Sequence, residues 1–357
     1  MALNRMEDAT QRPAMRQNWD MPTNVSPEFK KAQTAFRRAR DPEERLPLLK
    51  EMLRLIPKHK GTEHLQGEIK SKIKELTEEL AGPKKSGGRG GPPTTFRPEG
   101  AAQVALIGPP NSGKSAIHAR LTGSHSASEA YPFATQYPQP GMFAHEDAVF
   151  HLIDVPSISS EHPIPWLANT LQTPEACLLV VDLSQPGCVE RLIEVVELLR
   201  DRRINLTAQW PYTNGTDSLD TDEDMFAISL PTLLVANKAD LLEDPMGELE
   251  VLEELSGVDY PTIAVSAKTG AGLDDLGAWL FERLGIVRVY TKLPGEPPDG
   301  SAPFTIRRGE TVADVAEQVH RDIAENLKYA RVWGDGSFDG QQVGRDHVLL
   351  DGDVVEL

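Results

Sequence analysis

Gly108-Pro-Pro-Asn-Ser-Gly-Lys-Ser115 follows directly on the apolar run Gln103–Ile107, and no other stretch of the chain leaves so few folds open. A phosphate chain is held by backbone N–H groups that converge on it. A strand that turns through glycines into a helix N-terminus presents such groups. The spacing therefore predicts strand, loop and helix in that order. Gly108, Pro110, Asn111, Ser112, Gly113 and Ala116 are the expected cradle; Lys114 is expected to neutralise the β- and γ-phosphates, and the Ser115 hydroxyl to ligate Mg²⁺. With glycine at about 7% of typical sequences, a chance match occurs in on the order of one chain in a hundred.

The surroundings fit that demand. Between residues 101 and 285, short apolar runs (Gln103–Ile107, Val149–Ile153, Ala176–Val181, Thr232–Val235, Thr262–Val265) alternate with helical stretches such as Val189–Arg200 and Leu273–Leu284. Strands alternating with helices predict an α/β fold with a mostly parallel sheet covered on both faces. The stretch Asn205–Met225, with Asn-Gly and four Asp plus one Glu, reads as a surface loop.

Two motifs at later strand ends select the base. In Asn237-Lys-Ala-Asp240, the Asp240 carboxylate can accept hydrogen bonds from guanine N1–H and its exocyclic amine, which adenine cannot supply together. Bonds to a charged group are worth ~1.5–3 kcal/mol each, so the pair favours guanine by roughly 10²- to 10⁴-fold. Asn237 either holds the loop or reaches the purine edge, while the stem of Lys238 packs on the ring. In Ser266-Ala267-Lys268 the Ala267 N–H is placed to meet guanine O6. Asp154, at the end of an apolar strand, is a candidate for holding Mg²⁺ through a water. Thr135, between loop and strand, is the candidate second hydroxyl ligand. Lys114, Thr135 and Asp154 are the expected catalytic set.

The remainder of the 357 residues divides by texture. Residues 1–26 lack periodicity and read as a tail. Residues 27–81 carry apolar stripes broken by Pro42 and Pro57, which predict a helical hairpin, and residues 82–100 form a Gly/Pro-rich basic linker. After Gly285, strands at Val287–Tyr290 and Phe304–Arg307, a helix at Thr311–Leu327 capped by Thr311 and Asp314, and strands near Tyr329–Trp333, His347–Leu349 and Val354–Leu357 predict a β-grasp module. There His320, Arg321, Lys328 and Arg331 stand beside Tyr329 and Trp333. This is either an RNA-stacking patch or a core pair with solvated cations.

Charge narrows the partners. The formal net charge is -17, yet residues 1–100 hold 20 basic and 14 acidic residues, leaving 17 basic and 40 acidic for the rest. An acidic body repels a polyanion, so any nucleic-acid contact is expected from the N-terminal segment or a local patch. No apolar run is long enough to span a bilayer, which argues against a membrane protein. Two cysteines cannot make a disulfide framework, and a cytoplasmic location is expected. The nine histidines show no metal-ligand spacing.

Taken in order, GPPNSGKS, YPFATQYPQPG, DVPS, NKAD and SAK, followed by the dense run from Val287 to Leu357, resemble the Obg-like branch of translation-factor-related GTPases, most closely the developmentally regulated GTP-binding proteins. The resemblance covers roughly Ala101–Leu357. It implies a P-loop GTPase domain at 101–285 and a TGS domain at 286–357. It also implies slow GTP hydrolysis to GDP as a switch, and contact with the ribosome, rRNA, tRNA or a protein partner. Asn111 matches an asparagine linked to K⁺ activation in related GTPases; otherwise it merely shapes the loop. The chain departs from the family at Ser157, where the family has glycine, at Ala134, and in lacking room for an inserted subdomain between Asp154 and Asn237. Ser157 restricts the backbone that approaches the γ-phosphate. That favours a second reading, a guanine-nucleotide-binding adaptor with negligible hydrolysis whose TGS domain recognises RNA, a protein or a regulatory nucleotide. Ile158 stands near the place where small signalling GTPases carry a water-orienting glutamine.

Overall fold

The computed structural model describes residues 26–39, 41–57, 62–80, 93–124, 136–212, 224, 226–298, 303–335 and 338–357. The first of these form three helices, α1 (Pro27–Arg38), α2 (Pro42–Leu55) and α3 (Glu63–Leu80), rather than the two of a hairpin. The third arises because Pro42, one of the expected breakers, starts a helix of its own. Ser26 and Asp41 cap α1 and α2 with their side chains, and Pro27 and Pro42 occupy first helical positions, where a missing N–H costs nothing. Phe29, Phe36, Leu49, Met52, Ile69 and Leu76 fill the space between the helices.

The central sheet has the order β2-β3-β1-β4-β6-β5, with β7 also paired to β6. Its strands are β1 (Ala102–Ile107), β2 (Gln139–His145), β3 (Ala148–Asp154), β4 (Ala176–Asp182), β5 (Ile204–Thr207), β6 (Ile228–Asn237) and β7 (Thr262–Ala264). All pairings are parallel except β2 with β3. Because side chains alternate along a strand, β1 and β4 supply two cores at once. Val104, Leu106, Leu178 and Val180 face α4 (Lys114–Thr122) and α8 (Leu273–Arg283). Ala105, Ile107, Leu179 and Val181 face α5 (Leu167–Thr170), α6 (Cys188–Arg200) and α7 (Pro245–Ser256). This double burial is why those strands read as unbroken apolar runs.

Two strands of the central sheet do not show in the sequence pattern. β2 contains Pro140 and Gly141, which argue against a central strand but are tolerated in one that pairs on a single side. β5 runs into the stretch read as a loop; it is four residues long and leads to Trp210, which packs edge-to-face on Trp279 at 4.6 Å. Residues 213–223 of that stretch lie outside the described residues.

The C-terminal sheet has the order β11-β10-β12-β8-β9. Its strands are β8 (Ile286–Thr291), β9 (Phe304–Arg307), β10 (Ala330–Trp333), β11 (Gln341–Val343) and β12 (Asp353–Glu356). β8 and β12 run parallel, and Val312, Val315 and Ala316 pack against the strands to give the β-grasp arrangement. The predicted single helix is two, α9 (Val312–Val319) and α10 (Arg321–Asn326). His320 takes an extended backbone and caps α10 by accepting from the Asp322 N–H at 3.1 Å. The strand expected at 347–349 is reduced to one bridge between Thr311 and Val348, and β11 takes its place.

Ile286 belongs to the core of the central sheet, and the next residue, Val287, to the core of the β-grasp sheet. The turn between β2 and β3 reaches across. Arg288 donates to Glu146 and to both carboxylate oxygens of Asp351, with its guanidinium 4.9 Å from the Phe281 ring centroid. Tyr290 donates to Asp147 at 2.7 Å, and Arg307 to Glu175 at 2.6 Å. On another side, Phe226 packs edge-on to Phe36, and Arg203 pairs with both Glu68 and Asp224.

Candidate functional site

The phosphate-loop residues leave β1 at Ile107 and enter α4 at Lys114. Two glycines are required by their surroundings. A Cβ on Gly108 would lie 2.3 Å from the Val180 carbonyl oxygen, and one on Gly113, at φ +91°, would lie 2.1 Å from Asn237 Nδ2. Asn111 is left-handed at φ 61°, a conformation asparagine tolerates; this gives its presence a conformational reason. No side chain caps α4, so its first N–H groups stay available to a ligand. Beneath them the Ser112 hydroxyl is buried without a hydrogen-bond partner.

Lys114 folds over this loop. Its ammonium donates to the Gly108 carbonyl at 3.1 Å, the Pro109 carbonyl at 3.0 Å and Ser157 Oγ at 3.2 Å. Burial pushes its pKa down to about 8, opposed by the charge of Asp154. At the end of β3, Asp154 accepts from the Ser115 hydroxyl at 2.6 Å, while its other oxygen is buried and unpartnered. Burial raises the Asp154 carboxyl above its ordinary range, against the opposing influence of Ser115, Lys114 and His118. An orphaned carboxylate oxygen beside a hydroxyl is a hard-oxygen pair of the kind Mg²⁺ accepts when phosphates and water complete its shell. Among the described residues no larger His, Cys, Asp or Glu cluster could hold a metal. Thr135, the expected second hydroxyl ligand, lies outside the described residues, as does the Tyr131–Thr135 part of its motif.

The base loop is tied to the phosphate loop through one side chain. Asn237, the last residue of β6, donates from Nδ2 to the Ser112 carbonyl at 3.0 Å and accepts at Oδ1 from the Ala267 N–H at 3.0 Å. Of its two readings, the structure shows the loop-holding one, and the Ala267 N–H expected to face guanine O6 bonds Asn237 here. Ser266 donates to Asp240 Oδ1 at 2.6 Å; Asp240 itself is exposed, as is Lys268. Lys238, left-handed at φ 63°, pairs with Asp182 at 2.6 Å. Asp182 was missed in the sequence, although an acid ending an apolar strand is a signal that could have found it. The stack of Tyr137 on Trp166, 6.4 Å apart and 8° from parallel, was missed as well. It joins the exit of the Thr135 segment to the stretch after Asp154, two regions without apolar periodicity.

In the β-grasp sheet, Trp333 is half-buried under Lys292, whose Nζ lies 3.9 Å from the ring centroid, while Tyr329 is exposed. The patch thus keeps one aromatic face open. Among the described residues no helix is long and apolar enough to cross a membrane.

Two family models match parts of the chain. Residues 103–210 match the family described as 50S ribosome-binding GTPase, and residues 287–357 match the TGS domain. An uncharacterized GTP-binding protein of Methanocaldococcus jannaschii is 30% identical, covering 88% of this chain and 92% of that protein. The developmentally-regulated GTP-binding protein 2 homolog of Dictyostelium discoideum is 29% identical over 84% of this chain and 94% of its own. Among solved structures, the FeoB G-domain of Methanococcus jannaschii is similar at 22% identity and a TM-score of 0.33, over 50% of this chain and 94% of that one.

Proposed function

Since the chain belongs to the family of developmentally regulated GTP-binding proteins, P-loop GTPases that bind GTP and GDP, we propose that it is a slow Mg²⁺-dependent GTPase acting as a switch on the ribosome. The observation that carries the site is Asn237, whose side chain locks the phosphate loop and the base loop into one unit. In that unit the loop amides and Lys114 hold the phosphates, and Asp240, steadied by Ser266, reads the guanine edge. Ser115, Asp154 and Thr135 would hold Mg²⁺, which neutralises phosphate charge when bound. Water attacks the γ-phosphorus and GDP leaves; Lys114 and the amides stabilise the charge that builds on the phosphoryl oxygens. Slow turnover is supported by Ser157, which bonds Lys114 where the family has glycine. A K⁺ ion near Asn111 would add charge at the same place, and replacing KCl by NaCl would then slow turnover.

Ribosome contact is supported by the match to the 50S ribosome-binding GTPase family, by the basic first hundred residues and by the TGS domain with its exposed Tyr329. A cytoplasmic setting fits the two free cysteines. The adaptor reading keeps one specific observation in its favour, the bond between Ser157 and Lys114.

The test is phosphate release from GTP and ATP, beside calorimetric binding of GDP, GTP and ATP. GTP-specific release lost in Lys114→Ala is expected, with guanine selectivity falling at least about 100-fold in Asp240→Asn. Tight guanine binding without release, in the presence of ribosomes, would leave the adaptor. Unchanged binding in Asp240→Asn would overturn the base assignment.

A further inference from the structure

An ammonium has three N–H donors, and all three of Lys114 are taken within the chain by Gly108, Pro109 and Ser157. The first two acceptors are carbonyls of the phosphate loop itself. The third is a side-chain hydroxyl from another segment, and that segment is fixed on both flanks. The Val155 N–H donates to Leu106 O and the Ile158 N–H to Gly108 O, each at 3.1 Å, and Ile158 is buried under the sheet. Two residues further on, the Ser160 N–H donates to Glu194 of α6 at 2.8 Å. Ser157 is therefore presented to Lys114 by a clamped backbone.

Granting the guanine-nucleotide site above, we infer that Ser157 is a specificity-determining residue whose hydroxyl occupies the position on Lys114 that a third phosphate must take, so that the chain favours GDP over GTP. In this arrangement the loop amides and the charge of Lys114 hold a diphosphate while the Ser157–Lys114 bond stays in place. A triphosphate reaches the segment after β3 and must displace the hydroxyl before Lys114 can donate to it. Glycine at this position would leave that donor free.

The experiment is binding of fluorescent GDP and of a fluorescent non-hydrolysable GTP analogue, with Mg²⁺, to the full chain and to Ser157→Ala, Ser157→Gly and Ser157→Thr. In Ser157→Ala and Ser157→Gly the affinity for the GTP analogue should rise about tenfold relative to that for GDP, the worth of one hydrogen bond to a charged group. Ser157→Thr, which keeps the hydroxyl, should keep the original ratio. An unchanged ratio in Ser157→Ala, or a loss of GTP-analogue affinity there, overturns the inference while GDP binding leaves the site reading intact. Failure of every form, the unmodified chain included, to bind GDP overturns both.

Discussion

Asn237→Ala removes a side chain that joins the loop at Ser112 to the loop at Ala267. Asn237 is 1% exposed, and its loss strands the fully buried Ser112 carbonyl and the half-buried Ala267 N–H. An orphaned buried partner costs about 1–3 kcal/mol. The Ala267 N–H can recover water, so the two together come to about 3 kcal/mol. With a urea slope of about 3 kcal/mol/M for a domain of this size, the unfolding midpoint should fall by about 1 M. The transition can be followed by the fluorescence of the Trp210–Trp279 pair in the same domain. Asn237→Asp is the sharper variant. It keeps the acceptor for Ala267 but turns an oxygen toward the Ser112 carbonyl, in a place with no water for the charge. At pH 8 it should be at least as damaging as alanine. Below pH 6 a protonated carboxyl can donate to Ser112 and recover part of the loss. A cost for Asn237→Ala below about 1 kcal/mol, or an Asp variant as stable as the unmodified chain at pH 8, would refute the argument.

Acid should unfold the chain through its buried histidines. Burial lowers the pKa of His118 and of His151 below 6.5, so both stay neutral when folded while the unfolded chain takes up protons. Stability is then full above about pH 6.5 and falls as pH drops toward the folded values, by up to about 1.4 kcal/mol per pH unit for each group. His151→Phe, which can keep the edge-on contact with Phe96, should lose less melting temperature between pH 7.5 and 5.5 than the unmodified chain; an equal loss would exclude His151 as a source. Arg288→Ala should cost about 2–4 kcal/mol, because three charged hydrogen bonds and a ring contact leave with a side chain only 17% exposed. Thermal melts should fall and protease should cut the TGS domain sooner; a change under about 0.5 kcal/mol would mean the contact is ornamental to stability.

What was legible in the sequence is what chemistry requires at fixed spacing. Gly108, Gly113 and Lys114 stand within one short stretch, and the structure places them in one loop between β1 and α4; Asn237 and Ala267 stand 30 positions apart, and the structure joins them by a hydrogen bond. The buried strands were legible because double burial enforces apolar runs in β1 and β4. β2 was not, since pairing on one side only permits Pro140 and Gly141, and neither was the break at His320, where apolar spacing continues through both helices. The hold of Ser157 on Lys114 joins residues 43 positions apart, and no local pattern encodes it. Nor does the pairing of Asp182 with Lys238, 56 positions apart.

One peptide bond separates the last side chain of the nucleotide-sheet core, Ile286, from the first of the TGS core, Val287. A domain on a tether searches a volume, whereas this one is aimed. Its Arg288 and Tyr290 grip the hairpin tip at Glu146 and Asp147, and that hairpin is the lever that runs back along β3 to Asp154. A continuous path of hydrogen bonds and one strand therefore runs from the TGS sheet to the end of β3. Were a ligand of the TGS sheet to change nucleotide affinity along that path, linkage would require the nucleotide to change that ligand's affinity by the same factor.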